Sequence, residues 1–84
     1  MELGIFAIKD ELAEMWGNPF ILPLKVSKRN FDFMAKERSE AECKDQVIYL
    51  LGSYDNQTGT ITLLSGKPEP VYNLDKEWMS KHGE

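Results

Sequence analysis

The run VIYLLGSYDNQTGTITLL, Val47–Leu64, constrains the fold of this chain more than any other stretch. Val47, Tyr49 and Leu51 alternate with Ile48 and Leu50. Beyond Asp55-Asn56-Gln57-Thr58-Gly59, Thr60 and Thr62 alternate with Ile61 and Leu63. Period-2 order in β-branched and aromatic residues, broken by turn formers, predicts a β-hairpin over 47–64. Aspartate and asparagine bond their own backbone in a tight turn, and Gly59 is free to take the positive φ that closes it.

The rest of the chain gives this hairpin partners. Glu2–Asp10 carries Leu3, Ile5 and Ala7 on one side and Phe6 and Ile8 on the other, the pattern of a strand near the middle of a sheet. Leu12–Trp16 fits either a helical turn or the return strand of a hairpin. Gly17-Asn18-Pro19 marks a turn, and Phe20-Ile21-Leu22, held between two prolines, is expected at a sheet edge. Ser27 is placed to cap a helix over about 28–38, in which Phe31, Met34 and Ala35 form one apolar stripe. Phe33 lies off that stripe, where it either leans on the sheet margin or marks a partner surface. Ser39–Gln46 reads as a polar connector, with room for a short helical turn. Ser65–Pro70 reads as an unpaired, extended link. Val71–Leu74 is expected as a last short strand, and Asp75 as the cap of a terminal turn within a peripheral, flexible tail, 75–84.

This order implies an α+β fold: a small antiparallel sheet of four or five strands, covered on one face by a single helix. At 84 residues the chain is read as one domain, 1–84, of modest stability alone. One helix covers one sheet face, so the apolar strands favour a homodimer that buries the other. No apolar run approaches the ~20 residues needed to cross a bilayer, and no signal-peptide pattern opens the chain. A cytoplasmic protein without membrane contact is therefore expected.

Reactive chemistry has little to build on. Cys43 is the single cysteine and sits among carboxylates that blunt a thiolate. The single histidine, His82, lies in the last three residues, remote in sequence from Cys43, and one cysteine with one histidine resembles no metal site. Glu11 and Glu14 are spaced like solvated surface acids. The six glycines are scattered and form no phosphate loop. No catalytic residue, metal site or cofactor is expected, and the chain is read as a non-enzyme.

Charge is unevenly spread. The net charge is −4, yet residues 24–38 hold Lys25, Lys28, Arg29, Lys36 and Arg38 against Asp32 and Glu37, a local +3 on an acidic remainder. Such a stripe is either the solvated side of an ordinary helix or a phosphate footprint. In the second case those five cations are the candidate nucleic-acid contacts, and Trp16 and Tyr54 are candidates for base stacking, with a core role as the alternative for each aromatic.

Several segments together resemble a known family. FAIKDELA ending its strand at Asp10, Pro19-Phe20, the basic helix start with Arg29 and Phe31, Asp45 before Tyr49, and Gly52, Tyr54-Asp55 and Thr58-Gly59 follow the order of the small nonstructural protein of gokushovirus-type Microviridae, bacteriophages with single-stranded DNA. The likeness spans residues 5–74 and leaves out the tail with Trp78. It implies a protein of the host cytoplasm that is absent from the virion. It would act in genome replication and packaging, either on single-stranded DNA or as an interaction module on the phage replication initiator, the procapsid or a host factor. No catalytic residue comes with the resemblance.

Overall fold

Two strands far apart in sequence form the axis of the molecule. In the computed structural model, which describes residues 2–82, β1 (Glu2–Asp10) pairs antiparallel with β4 (Gln46–Asp55), from Glu2 opposite Asp55 to Asp10 opposite Gln46. Each is flanked outside by two short strands set end to end. Beside β1 lie β2 (Met15–Trp16) and β3 (Phe20–Pro23); beside β4 lie β5 (Thr60–Leu63) and β6 (Glu69–Asn73). The result is a six-stranded antiparallel sheet with one side covered by helices.

The α+β class and the 47–64 hairpin are as the sequence predicts, while the parts are more numerous: six strands and three helices. Leu12–Trp16 resolves as a turn and return strand, because the Asp10 carboxylate accepts the amides of Leu12 and Ala13, each at 3.0 Å, and reverses the chain. The hairpin turn closes through the Gly59 amide on the Asp55 carbonyl (2.7 Å), with Gly59 at φ 77°. The link 65–70 is shorter than expected, since Glu69 and Pro70 already belong to β6, opposite Leu50 and Tyr49. Proline is tolerated there because the strand is an edge.

Helix α1 (Ser27–Glu37) is entered from a 3-10 turn at Leu24–Val26 rather than from a side-chain cap. Ser27 is already helical, and its hydroxyl donates to the Leu24 carbonyl (3.0 Å). Helix α2 (Glu40–Cys43) begins at a capping box, with the Ser39 and Glu42 side chains bonding each other's amides. Asp45, at φ 61°, then turns the chain into β4.

The tail expected to be peripheral is helix α3 (Leu74–His82), packed on α1 and α2. Asn73, not Asp75, caps it by accepting the Lys76 amide (3.0 Å); Asp75 instead accepts the Asp45 amide (2.9 Å). Residues 83 and 84, the end of the expected flexible segment, lie outside the described residues. The core forms between sheet and helices from Phe6, Ile48 and Tyr72 below and Phe31, Ala35, Cys43 and Leu74 above. Phe6 meets Phe31 edge-on at 5.1 Å between ring centres, a favoured aromatic geometry.

Candidate functional site

Helix α1 presents three different sides. Phe31 and Ala35 point into the core. Two positions on from Phe31, and so on the far side of the helix, Phe33 stands 64% exposed. Arg29 precedes it by four residues and Lys36 follows it by three, so all three share one solvent face. Neither cation is engaged in an ion pair among the described residues, and exposed Lys25 lies one turn further back. Glu37 and the acidic turn at Glu40–Glu42 bound the patch at its other end, which keeps the positive footprint short.

The third side of α1 is occupied by structure. Asp32 accepts the Tyr72 hydroxyl at 2.6 Å and forms ion pairs with Lys28 (3.2 Å) and Lys81 (3.3 Å). The Tyr72 hydrogen bond, with help from the two lysines, holds the Asp32 carboxyl down at about 2, below its ordinary 3.8. Burial and the same bond push the Tyr72 phenol up. Lys28 is thus drawn toward Asp32, while Arg38 lies at the α1–α3 seam, where its carbonyl accepts the Trp78 indole N–H (2.9 Å). At the other end of α1, a cleft of about 200 Å³ opens between the start of the helix and the sheet, lined by Phe6, Leu24, Phe31, Leu50, Val71 and Tyr72, with Lys28 at its rim.

Trp16 and Tyr54 are on the opposite side of the molecule. Ile48 and Tyr72 face the helices, so Tyr49 and its partner Ala7 face away, and Trp16 packs edge-on against Tyr49 at 4.9 Å. Lys9 lies over the Trp16 ring at 5.6 Å and pairs with Glu11 at 3.8 Å, and Glu11 also accepts the Tyr49 hydroxyl. At the other end, Tyr54 is opposite Leu3 and Ile61, and Gly52 is opposite Ile5 and Leu63, all on this same open face. The seven candidate contacts therefore divide: Lys25, Arg29 and Lys36 on the outer helix side, exposed Lys28 paired with Asp32, Arg38 at the α1–α3 seam, Trp16 and Tyr54 on the open sheet face.

Charge spacing alone misses the two residue sets that matter most. Phe33 joins the cations only because the helix phase puts it between Arg29 and Lys36. Ile61 and Leu63 join Tyr54 because the hairpin alternates, and what the sequence leaves open is which side of that alternation the helices take.

Cys43 is 1% exposed, and burial pushes its thiol up. Among the described residues no three acidic, histidine or cysteine side chains gather as a metal cluster, and no helix is long and apolar enough to cross a membrane. Neither the curated proteins nor the solved structures contain a match to this chain. A protein-family model does match, and it takes in residues 3–76, which carry β1 but for its first residue, β2 to β6, α1, α2 and the start of α3. The chain is a phage protein and belongs to the family described as Phage ORF5 protein.

Proposed function

We propose that this protein is the nonstructural accessory protein of a gokushovirus-type member of the Microviridae, and that it holds single-stranded DNA on the outer side of α1. It would act in the host cytoplasm, where genome replication gives way to synthesis and packaging of single strands. Membership of a phage family supports the setting. The observation that carries the DNA reading is Phe33, an exposed aromatic set between two cations that have no acidic partner among the described residues. A base stacks on an aromatic face for about 1–3 kcal/mol, and guanidinium and ammonium groups on either side neutralise the flanking phosphates.

The footprint is short, so binding is weak and salt-dependent. Three phosphate contacts, from Lys25, Arg29 and Lys36, give a slope of about −2 in log affinity against log salt on a single strand. Fluorescence anisotropy with a labelled oligo-dT at low ionic strength should show this slope. Phe33→Ala should weaken binding by about tenfold or more at every salt concentration, and Arg29→Glu with Lys36→Glu should abolish it. If wild type shows no salt-sensitive binding at low ionic strength, the DNA reading fails.

A second reading is favoured by a separate observation. Ile61 and Leu63 are exposed apolar residues on a sheet face without helices, which is the surface of a protein partner rather than of a polyanion. On that reading the chain is a non-catalytic module acting on the replication initiator, the procapsid or a host factor. Recovery of phage or host protein without DNA from infected cells, lost on Leu63→Lys and kept on Phe33→Ala, would favour it.

A further inference from the structure

We infer that the sheet face turned away from the helices is where a second copy of this chain packs. The inference stands independently of the DNA reading, which concerns the other side of the molecule.

Side chains on the projecting hairpin are sorted by face. Among the described residues no helix packs substantially on β5, so water alone would leave both faces of the β4–β5 arm polar at its tip. Instead Ser53, Asp55, Thr60 and Thr62 fall on the helix side, and with Glu2, Tyr54 and the turn residues Gln57 and Thr58 they line an open polar hollow of about 550 Å³. Tyr54, Ile61 and Leu63 fall on the other side, with Ile61 59% and Leu63 70% exposed. The alternation has one face prepared for water and the other for burial.

Charge selects the occupant. Along the paired strands, Lys9 is the one charged residue at the positions on the open side among the described residues, and it is neutralised by Glu11 at 3.8 Å. A face without free cations offers nothing to a phosphate backbone. It is also neutral on a molecule of net charge −4, so two acidic copies meet there without like charges opposed. Under a two-fold axis, each copy's Lys9 and Glu11 become available to the other's.

Size is sufficient. The broad side of the molecule measures 44 by 25 Å, on the order of 1,000 Å² in projection, against the roughly 800 Å² per partner of a standard stable interface. Ile5 and Ala7, at the centre of this face, are already buried by their neighbours within one copy, so contact with a second copy falls to the exposed residues around them. Two twisted sheets of this kind pack face to face at about 30° as a sandwich.

Sedimentation velocity over a range from micromolar to hundreds of micromolar tests the assignment. Wild type should sediment at twice the 9.7 kDa chain mass, and Leu63→Lys or Ile61→Lys should weaken association by about 100-fold or more. Both side chains are exposed within one copy, so each variant should keep the wild-type circular dichroism, and Ile21→Lys tests the same face from the opposite edge. Phe33→Ala should leave the dimer intact. A monomeric wild type at the highest concentration overturns the proposal, whether or not another protein is later found on this face. So does a dimer indifferent to all three lysine variants.

Discussion

Gly52 shows how little freedom some single positions leave. A Cβ built there would lie 2.3 Å from the Thr62 carbonyl oxygen and 2.9 Å from the Leu63 Cα, both backbone atoms of the paired strand. Leu51, next to it, is the extra residue where the β1–β4 register slips between Ile5 and Phe6, and its carbonyl takes the Leu64 amide. Backbone cannot give way as a side-chain tip does, so Gly52→Ala should cost about 3 kcal/mol in urea unfolding. Gly59→Ala meets no neighbour and is strained by its positive φ alone. Asp32 makes a different residue-scale statement. Its folded carboxyl lies at about 2 against an ordinary 3.8, so its stabilising contribution is full above the unfolded value and fades as pH falls toward the folded one. A third of the side chain is in solvent, which screens the effect to about 1 kcal/mol. Asp32→Asn should therefore lower stability by that much near neutrality, and thermal melts should show the gap from wild type closing between pH 4 and pH 2. A gap that stays constant to pH 2 would assign the effect to packing.

At the scale of elements, legibility followed local information. The 47–64 hairpin, the apolar stripe of α1 and the two-sided apolarity of β1 are written in residue alternation and were readable. Of the three shortfalls, one is a local competition at the start of α1 and two trace to partners distant in sequence. Ser27 looked like a helix cap, but the 3-10 turn ahead of it supplies the entry and its hydroxyl is spent on Leu24. Pro70 looked like a break in structure, and is tolerated because β6 is an edge strand beside β4. Helix α3 looked like a loose tail because its sequence, LDKEWMSKH, is polar with few apolar residues. What fixes it is tertiary: Leu74 enters the core, Trp78 donates to the Arg38 carbonyl, and the His82 ring stacks on Trp78 at 4.3 Å. Asp75 and Glu77 in its first turn and Lys81 and His82 in its last also suit the helix dipole. Trp78→Ala should cost about 2–3 kcal/mol in equilibrium unfolding, whereas exposed Met79→Ala should change stability by less than about 0.5 kcal/mol. Equal costs would mean that α3 is not anchored through its indole. The candidate site was half legible for the same reason: cation identity is local, while the separation of Trp16 and Tyr54 from the basic side depends on which sheet face the helices cover.

The whole molecule is one helical layer on one sheet, 17 Å through its thinnest direction, so its two broad sides have no layer between them to share. Each side has its own chemistry: cations around Phe33 outside α1, apolar residues around Ile61 and Leu63 beneath the sheet. Copies joined sheet to sheet would carry their Arg29–Phe33–Lys36 stripes on opposite outer surfaces, arranged to hold two strand segments apart rather than to enclose one in a groove. The same two-layer plan also fixes an order of events. The central partners β1 and β4 run from Glu2 opposite Asp55 to Asp10 opposite Gln46, so β1 waits for some of the later residues before its main neighbour exists. At a synthesis rate of about 5–20 residues per second, the wait lasts seconds. Until then β1 has only β2 and β3 beside it, and Ile5, Phe6, Ala7 and Ile8 keep one long edge open. The moment of greatest exposure for this protein is during its own synthesis, when the strand destined for the centre of the sheet is still an edge.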